Sequence, residues 1–401
     1  MVLSQIAGSA ALAAAVTVGA FVIQDILGQT TAWGGIASAT VTMGTAFMSQ
    51  MLARLMNVRG RRNGLQAGYL LAIFGGFIAG YGAETKTLWI FLVGLFVFGN
   101  GQASNLLSRY AAADLATTDQ RGRAMSRILF ASTFGAVFGP LLIKPAEQAG
   151  MHWFGWGQYT GPWIFAGVFF LTSLINTSLR LRPDPLEVAG RLNRQAEVGE
   201  PTRLFSDAVK AIRMSGDAQI AVIAMVISQM AMVAVMTMTP VHLRLHGHET
   251  VSAYIISLHI AGMYAFSPLV GRFADRRGRL TTIQVGALVL MGATVLSSLA
   301  GDSAVLLFPA LWMLGVGWSF GLIGGSSLLV DSIDQQIRVR VQGAADLTMS
   351  FCGGLAGFSS GFIRKAVGYH VLSNVGTVLA GILLVVVMWK KSTSSNVAVV
   401  E

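Results

Sequence analysis

The sequence predicts an all-α integral membrane protein: twelve transmembrane helices in two pseudo-symmetric six-helix bundles, with both termini cytoplasmic. Three observations carry this expectation: a composition that only lipid can solvate, twelve apolar windows of spanning length, and basic residues sorted onto alternate loops. Of 401 residues, 54% are hydrophobic and 11% charged, against about 25% charged in a soluble domain. A single soluble core stops growing near about 250–300 residues, so water could not accommodate this apolar stock. A soluble multidomain enzyme, a disordered chain and a disulfide scaffold are excluded together; Cys352 is the only cysteine.

A membrane helix needs about 20 mostly apolar residues. Such windows fall at 4–27, 33–53, 64–83, 87–108, 124–146 and 162–180, then at 218–241, 250–270, 281–300, 304–329, 341–363 and 369–389. The first has no basic residue before it, so it reads as a span rather than a signal peptide. With the N-terminus inside, 23 of the 28 Lys and Arg fall on cytoplasmic loops, and Lys86, Lys144, Arg244, Arg364 and Lys365 fall outside. Positive charge collects on the cytoplasmic side, so the even count and the orientation support each other. The net charge of +10 therefore marks a membrane face rather than a nucleic-acid surface.

Domain organisation follows: an N-terminal bundle over 1–183, a cytoplasmic linker over 184–215 and a C-terminal bundle over 216–401. Within the linker, Leu204, Phe205, Ala208, Val209 and Ile212 recur at helical spacing opposite Arg203, Asp207, Lys210 and Arg213. That pattern suits an amphipathic helix on the inner leaflet or a solvated linker helix.

The halves repeat. Gly60 matches Gly278 at an offset of 218, Gly99-Asn100-Gly101 matches Gly315-Val316-Gly317 at 216, and Asp114 matches Asp331 at 217. Three features at nearly one offset argue for two related units, an arrangement common in secondary transporters.

Between spans eight and nine lies Gly271-Arg-Phe-Ala-Asp275-Arg276-Arg-Gly278-Arg279. This G-x-x-x-D-R-x-G-R pattern resembles the loop motif of the major facilitator superfamily. Its first-half copy is eroded, with Ala53 for the first Gly, Asn57 for the Asp and Val58 for the Arg. Asp114 with Asp119-Gln120-Arg121-Gly122-Arg123 resembles that superfamily's loop after span four. The expected chemistry is an electrostatic gate. Asp275 accepts from a neighbouring helix N-terminus, Arg276 or Arg279 reaches Asp331, and Arg61 or Arg62 reaches Asp114. Arginines anchored at anionic lipid are the plainer reading.

In span five, Gly135-Ala-Val-Phe-Gly139-Pro140 resembles the antiporter motif of drug–proton exporters in that superfamily, although Leu141 and Leu142 follow instead of a Gly pair. As a G-x-x-x-G it also suits plain helix packing. Span four lacks the deep Arg such exporters often keep; its first basic residue is Arg109, near the inner end.

Charge inside lipid is a functional candidate by default. Asp25 beside Gln24, His259 and Asp346 are the candidates for proton coupling, with Asn100, Gln102, Asn105 and Gln229 as polar cavity lining. The competing roles are an outer-mouth carboxylate, a backbone-bonded histidine and an inner-gate aspartate. Methionines in span seven suit an adaptable apolar surface or a plain core. His242, His246 and His248 form a weak candidate metal cluster; a pH-sensitive or solvated loop suits them better.

The chain has no P-loop, nucleophile elbow, H-E-x-x-H or C-x-x-C, so neither ATP-driven pumping nor enzymatic catalysis is expected. The resemblance implies a secondary transporter of a bacterial inner (plasma) membrane, a monomer needing no cofactor. It would export a hydrophobic or amphiphilic small molecule against protons. Its expected partners are that substrate, protons and membrane lipids, without nucleic acid. A lipid or glycolipid transporter is the alternative, and a metal- or pH-sensing membrane protein a third.

Overall fold

A computed structural model describes residues 1–27, 36–190, 201–301 and 303–397. In chain order its helices are α1 (Val2–Leu27), α2 (Ile36–Arg59), α3 (Arg61–Glu84), α4 (Leu88–Ala113), α5 (Arg121–Leu141), α6 (Ile143–Phe154), α7 (Thr160–Arg180), α8 (Pro185–Val188), α9 (Pro201–Met214), α10 (Gly216–Leu245), α11 (Glu249–Tyr264), α12 (Ser267–Arg277), α13 (Arg279–Leu299), α14 (Ala304–Ser332), α15 (Arg338–Val367) and α16 (Tyr369–Val397). Within the described residues each apolar window falls on helix, and the windows 124–146 and 250–270 each run over two helices in series.

Among the described residues, eight stretches are long and apolar enough to cross a membrane. Helices α2 and α15 fall short because they carry polar residues inward: α2 buries Thr45, Ser49, Gln50 and Asn57, and α15 buries Gln342, Asp346, Ser350 and Ser360. Apolar side chains such as Phe74, Trp89, Val385 and Trp389 instead lie on the outside, as lipid demands, while the helical backbone satisfies its own polar groups.

The chain forms two compact units. Unit 1 comprises Met1–Ala116, Arg127–Val209 and Asp334–Gly354; unit 2 comprises Thr117–Ser126, Lys210–Ile333 and Leu355–Glu401. The units follow the sequence halves except for two short segments, 117–126 and 334–354, each of which belongs to the unit built mainly from the other half. Both segments begin a helix and carry charge.

In unit 1, α4 is the central helix, packed on α2 and α3, and α7 packs on α3 and α1. Phe98 sits edge-on to Trp163 and Phe170, with ring centroids 5.6 and 5.0 Å away. In unit 2, α14 takes the same place against α10, α11 and α13, and α16 packs on α13. The glycine repeat explains both. A Cβ on Gly99 would strike the Val41 carbonyl of α2, and one on Gly315 would strike the His259 carbonyl of α11. Val41 and His259 are themselves one repeat apart, so the two halves use one close helix–helix contact twice.

Gly99→Val and Gly315→Val therefore force helices apart and destabilise by about 1–3 kcal/mol each. Gly381, whose Cβ would meet nothing within 4 Å, is the control. Thermal unfolding of the purified protein in detergent is expected to show lower midpoints for the two valine variants and little change for Gly381→Ala.

Candidate functional site

Two charged clusters lie at repeat-related positions, one in each unit. In unit 1, Arg61 is the first residue of α3, just after Gly60, whose φ of 92° suits glycine alone. Arg61 is fully buried. Its Nε donates to Asp114 Oδ2 at 2.8 Å and its Nη2 to Asp114 Oδ1 at 3.4 Å. Nη2 also donates to Gln342 Oε1 at 2.6 Å. The fork of the guanidinium matches the carboxylate, which makes the contact directional as well as charged.

One turn along the same helices lies a second pair. Arg109 Nη2 donates to Asp346 Oδ1 at 2.5 Å, and both side chains are completely shielded from solvent. Tyr110 bridges them: Arg109 Nη2 donates to its hydroxyl at 3.0 Å, and the hydroxyl lies 3.5 Å from Asp346 Oδ1. The guanidinium also rests over the Tyr110 ring, 4.2 Å from its centre, a cation–π contact strengthened by the dry surroundings. Asp346 Oδ2 is buried without a hydrogen-bond partner. Tyr110 and Asp114 are one turn apart on α4, as are Gln342 and Asp346 on α15. The two helices thus face each other through two polar rungs.

In unit 2, Asp275 sits in the last turn of α12, with its side chain 1% exposed. It accepts from the backbone N–H groups of Gly122 and Arg123 at 3.0 and 2.9 Å, capping the first turn of α5, where the helix dipole favours an anion. Arg279 Nη1 donates to it at 2.6 Å and Arg123 Nε at 3.3 Å. Arg279 Nε also donates to Asp331 Oδ2 at 3.1 Å, and Arg121 pairs with Asp331. On the exposed turn before α5, a hydrogen bond from the Thr117 side chain holds the Asp119 carboxyl below its ordinary range.

The motif's glycines have separate tasks. Gly278, with φ 89°, breaks the chain between α12 and α13 so that Arg279 returns to Asp275. Gly271 lets α12 approach α5: a Cβ there would strike the Ser126 hydroxyl and the Gly122 carbonyl. In unit 1, Ala53 replaces that glycine, and it faces Gly343, where an added Cβ would strike the Ala53 methyl. Gly343 stands one repeat from Ser126, so the small residue has moved across the contact. The eroded copy therefore keeps its close approach. Asn57, in the place of Asp275, is buried.

The other candidate residues are more dispersed. Asp25 is 42% exposed at the end of α1 and pairs with Lys86 at 3.1 Å; the Gln24 side chain lies outside the described residues. His259 is fully buried, with Nδ1 donating to the Leu311 carbonyl at 2.8 Å and Nε2 unpartnered. Asn100 donates to the Val97 carbonyl at 2.7 Å, Asn105 accepts from the Tyr69 hydroxyl at 3.1 Å, and Gln102 is half-buried. Gln229 accepts from Trp318 Nε1 at 2.7 Å. Arg62 gives its backbone N–H to Asp184 at 2.8 Å rather than its side chain to Asp114, and Arg276 is exposed.

Gly135 and Gly139 press α5 onto α1, where Cβ atoms would strike the Ile6 and Ala10 carbonyls; the Pro140 side chain lies outside the described residues. His242 Nε2 donates to the Gly301 carbonyl at 2.8 Å and His246 Nδ1 to the His242 carbonyl at 2.7 Å, while His248 is exposed. Among the described residues no three potential ligands converge on a metal position.

Arg109, Tyr110, Gln342, Arg121 and Arg123 were absent from the expected site. The available signal was that Asp346 lies within an apolar window and Arg109 at the edge of one, each with no opposite charge one turn away, so each needs a distant partner.

Repeated helical halves of this kind are the build common among secondary transporters. The Major Facilitator Superfamily profile matches residues 2–358. The uncharacterized MFS-type transporter YdeG of Bacillus subtilis is 37% identical over 97% of this chain and 90% of its own length. The riboflavin transporter RfnT of Brucella anthropi is 27% identical over 82% of this chain and 80% of its own. In fold, the crystal structure of the human organic anion transporter MFSD10 superposes with a TM-score of 0.78 at 14% identity, covering 96% of this chain and 97% of that one. The chain belongs to the major facilitator superfamily; it is a multi-pass inner-membrane transporter.

Asp275→Asn keeps the shape of the cap and removes its charge, weakening bonds to two backbone donors and two guanidinium groups. A charge-assisted hydrogen bond contributes about 1.5–3 kcal/mol. The variant is expected to insert and purify like the wild type but to label faster with a membrane-impermeant thiol reagent at a cysteine placed at Ser126. Equal labelling rates would show that the cap does not hold α5 on α12.

Proposed function

We propose that the protein is a proton-coupled secondary transporter that exports a hydrophobic or amphiphilic small molecule by alternating access, with twelve spans, both termini cytoplasmic and a monomer as the working unit. The observation that supports this most is the Arg109–Asp346 pair, shielded completely and carrying one unpartnered carboxylate oxygen. A carboxylate held by a guanidinium away from water has two exchangeable states. While paired it is ionised; when a proton or a cationic group of the substrate replaces Arg109, the rung between α4 and α15 opens. Protonation and separation of the helices are then one event, which is what coupling requires.

Asp25, solvated and paired with Lys86, suits the outer mouth better than the coupling site. Few charges in the spans suit an amphiphilic cargo, and riboflavin, the substrate named for the Brucella relative, is one planar compound of that class.

The test is transport in proteoliposomes with an imposed pH gradient, using riboflavin and the dye ethidium as probes, with a thermal shift as the check that each binds. Asp346→Asn should keep the substrate-induced thermal shift while proton-driven accumulation falls at least about tenfold, a loss of about 1.4 kcal/mol or more of coupling. Accumulation equal to wild type would refute the role of Asp346. Lipid transfer, the alternative, needs no proton carrier and should survive this substitution.

A further inference from the structure

Beside the Arg109–Asp346 pair, polar atoms of two facing helices are buried without a hydrogen-bond partner among the described residues. They are Asp346 Oδ2, Gln342 Nε2, and both Oε1 and Nε2 of Gln50. Gln50 is 8% exposed, Gln342 1% and Asp346 not at all. Buried groups left in this way are rare, because each gives up water and receives nothing for it. The helix register brings them together. Helices α2 and α15 run antiparallel in close contact: a Cβ on Gly343 would strike the Ala53 methyl, and one on Gly354 the Met43 side chain. Three residues back from Ala53 is Gln50, and three on from Gly343 is Asp346, so these two stand level along the pair. Gln50 Oε1 would lie only 3.0 Å from a Cβ on Gly343. All of these residues belong to unit 1.

We propose that Gln50 and Gln342 hold a buried water against Asp346 Oδ2, and that this water delivers the coupling proton; the inference rests on the coupling role given to Asp346 above. The inventory of donors and acceptors selects the ligand. A guanidinium only donates, so Arg61 fixes Gln342 with Oε1 toward it, at 2.6 Å, and Nε2 pointing away. Gln50 offers one donor and one acceptor whichever way its amide is turned. A water that donates to Asp346 Oδ2 and to Gln50 Oε1, and accepts from Gln342 Nε2, makes the three bonds usual for a buried water. A metal cation suits the same place badly. Hard cations take oxygen ligands, and here the Gln342 amide donor and the Arg109 charge oppose one.

The proton step balances within the site. One O–H bond of a hydronium breaks as an O–H bond forms on Oδ2, and a neutral water stays on the two glutamines. The charge of the proton cancels that of Asp346. Arg109 keeps partners on its own helix: it donates to the Leu106 carbonyl and the Tyr110 hydroxyl and lies over the Tyr110 ring. Helix α15 can therefore part from it without stranding the guanidinium. The titratable groups facing Asp346 are Arg109 and Tyr110 from α4 and Arg61 from α3, with Asp114 beyond Arg61. Helix α2 brings none between Val41 and Ala53, and Arg54 follows. Gln50 and Gln342 are positioning residues, acting on the carboxylate through the water.

Two measurements on the full-length protein test this. A crystal structure from a lipidic phase, at a resolution that shows waters, should place one within hydrogen-bond distance of Gln342 Nε2 and Asp346 Oδ2. No density there, with other buried waters visible, would overturn the proposal, and this result needs no substrate. The second is transport in proteoliposomes with riboflavin as the probe, comparing proton-driven accumulation with riboflavin–riboflavin exchange at equal pH, which moves no net proton. Q50L should lower the ratio of the two at least about tenfold. Q50S, short enough to admit a second water, should recover most of it, which a purely structural role for Gln50 would not produce. A Na⁺ gradient at equal pH should drive no accumulation by the wild type. A wild-type ratio in Q50L, or accumulation driven by Na⁺, would overturn the proposal. Thermal unfolding checks that each variant is folded; should Q50L fail to fold, the water density and the Na⁺ gradient decide. D346N separates the two claims: a loss of accumulation in D346N but not in Q50L removes the water's role alone, whereas wild-type accumulation in D346N removes the coupling role of Asp346 and this inference with it.

Discussion

A guanidinium sealed from water has to bring its counter-charge with it. Arg109 is fully buried in α4, the central helix of unit 1, and its partner Asp346 comes from α15, 237 positions later in the chain. Removing one member of such a pair strands the other and costs about 3–5 kcal/mol. The segment 334–354 belongs compactly to unit 1, where Asp346 meets Arg109 of α4 and Gln342 meets Arg61 of α3. Gln342 completes the Arg61–Asp114 fork one turn from Asp346. Helix α15 is accordingly too polar to read as a strongly apolar span, and it carries those groups inside the protein, where Gln342 and Asp346 each meet a buried arginine.

Unit 2 solves the related problem at a helix end. Asp275 meets two unpaired N–H groups of α5 and two arginines, so a single carboxylate fixes the α5 terminus, the α12–α13 break and, through Arg279, Asp331 on α14. Such a contact needs backbones in near contact, and Gly122 and Gly271 provide that: a Cβ on Gly122 would lie 2.8 Å from both Asp275 Oδ1 and the Gly271 carbonyl. In unit 1 the glycine is Gly343, opposite Ala53. What repeats between the halves is therefore the distance of approach, and either helix can supply the missing side chain.

Much of the fold was legible because its signals are local. Apolar windows mark the helices, the basic loops sort to one side, and the offset of 216–218 pairs Gly99 with Gly315 and Asp114 with Asp331. The Asp275 cluster was legible for the same reason: Asp275, Gly278 and Arg279 are adjacent in sequence, and Gly278 needs its φ of 89° for them to meet. Arg109 with Asp346 was not, since each alone resembles a charge near a helix end, and only packing shows both to be sealed. Asp25 is the opposite case. Within an apolar window it resembles a buried carboxylate, yet it lies two residues from the end of α1, close enough to Lys86 and solvent to stay paired and wet. The eroded first-half motif also concealed its compensation, because Gly343 lies far along the chain from Ala53.

The two clusters differ in the work needed to open them. Around Asp275 and Asp331 the partners reach water: Arg123 is 42% exposed and Asp331 20%. Separated charges there are hydrated and screened by salt, so the cluster opens at lower cost than a pair sealed on both sides. Arg109 and Asp346 have no such route, and pulling them apart dry would leave two bare charges in apolar surroundings. Their separation must coincide with neutralisation of Asp346, with water entering along α4, or with a charged ligand replacing one partner. The exposed cluster can therefore part by thermal motion alone, whereas the sealed pair parts only as its charges are neutralised, hydrated or given a new partner.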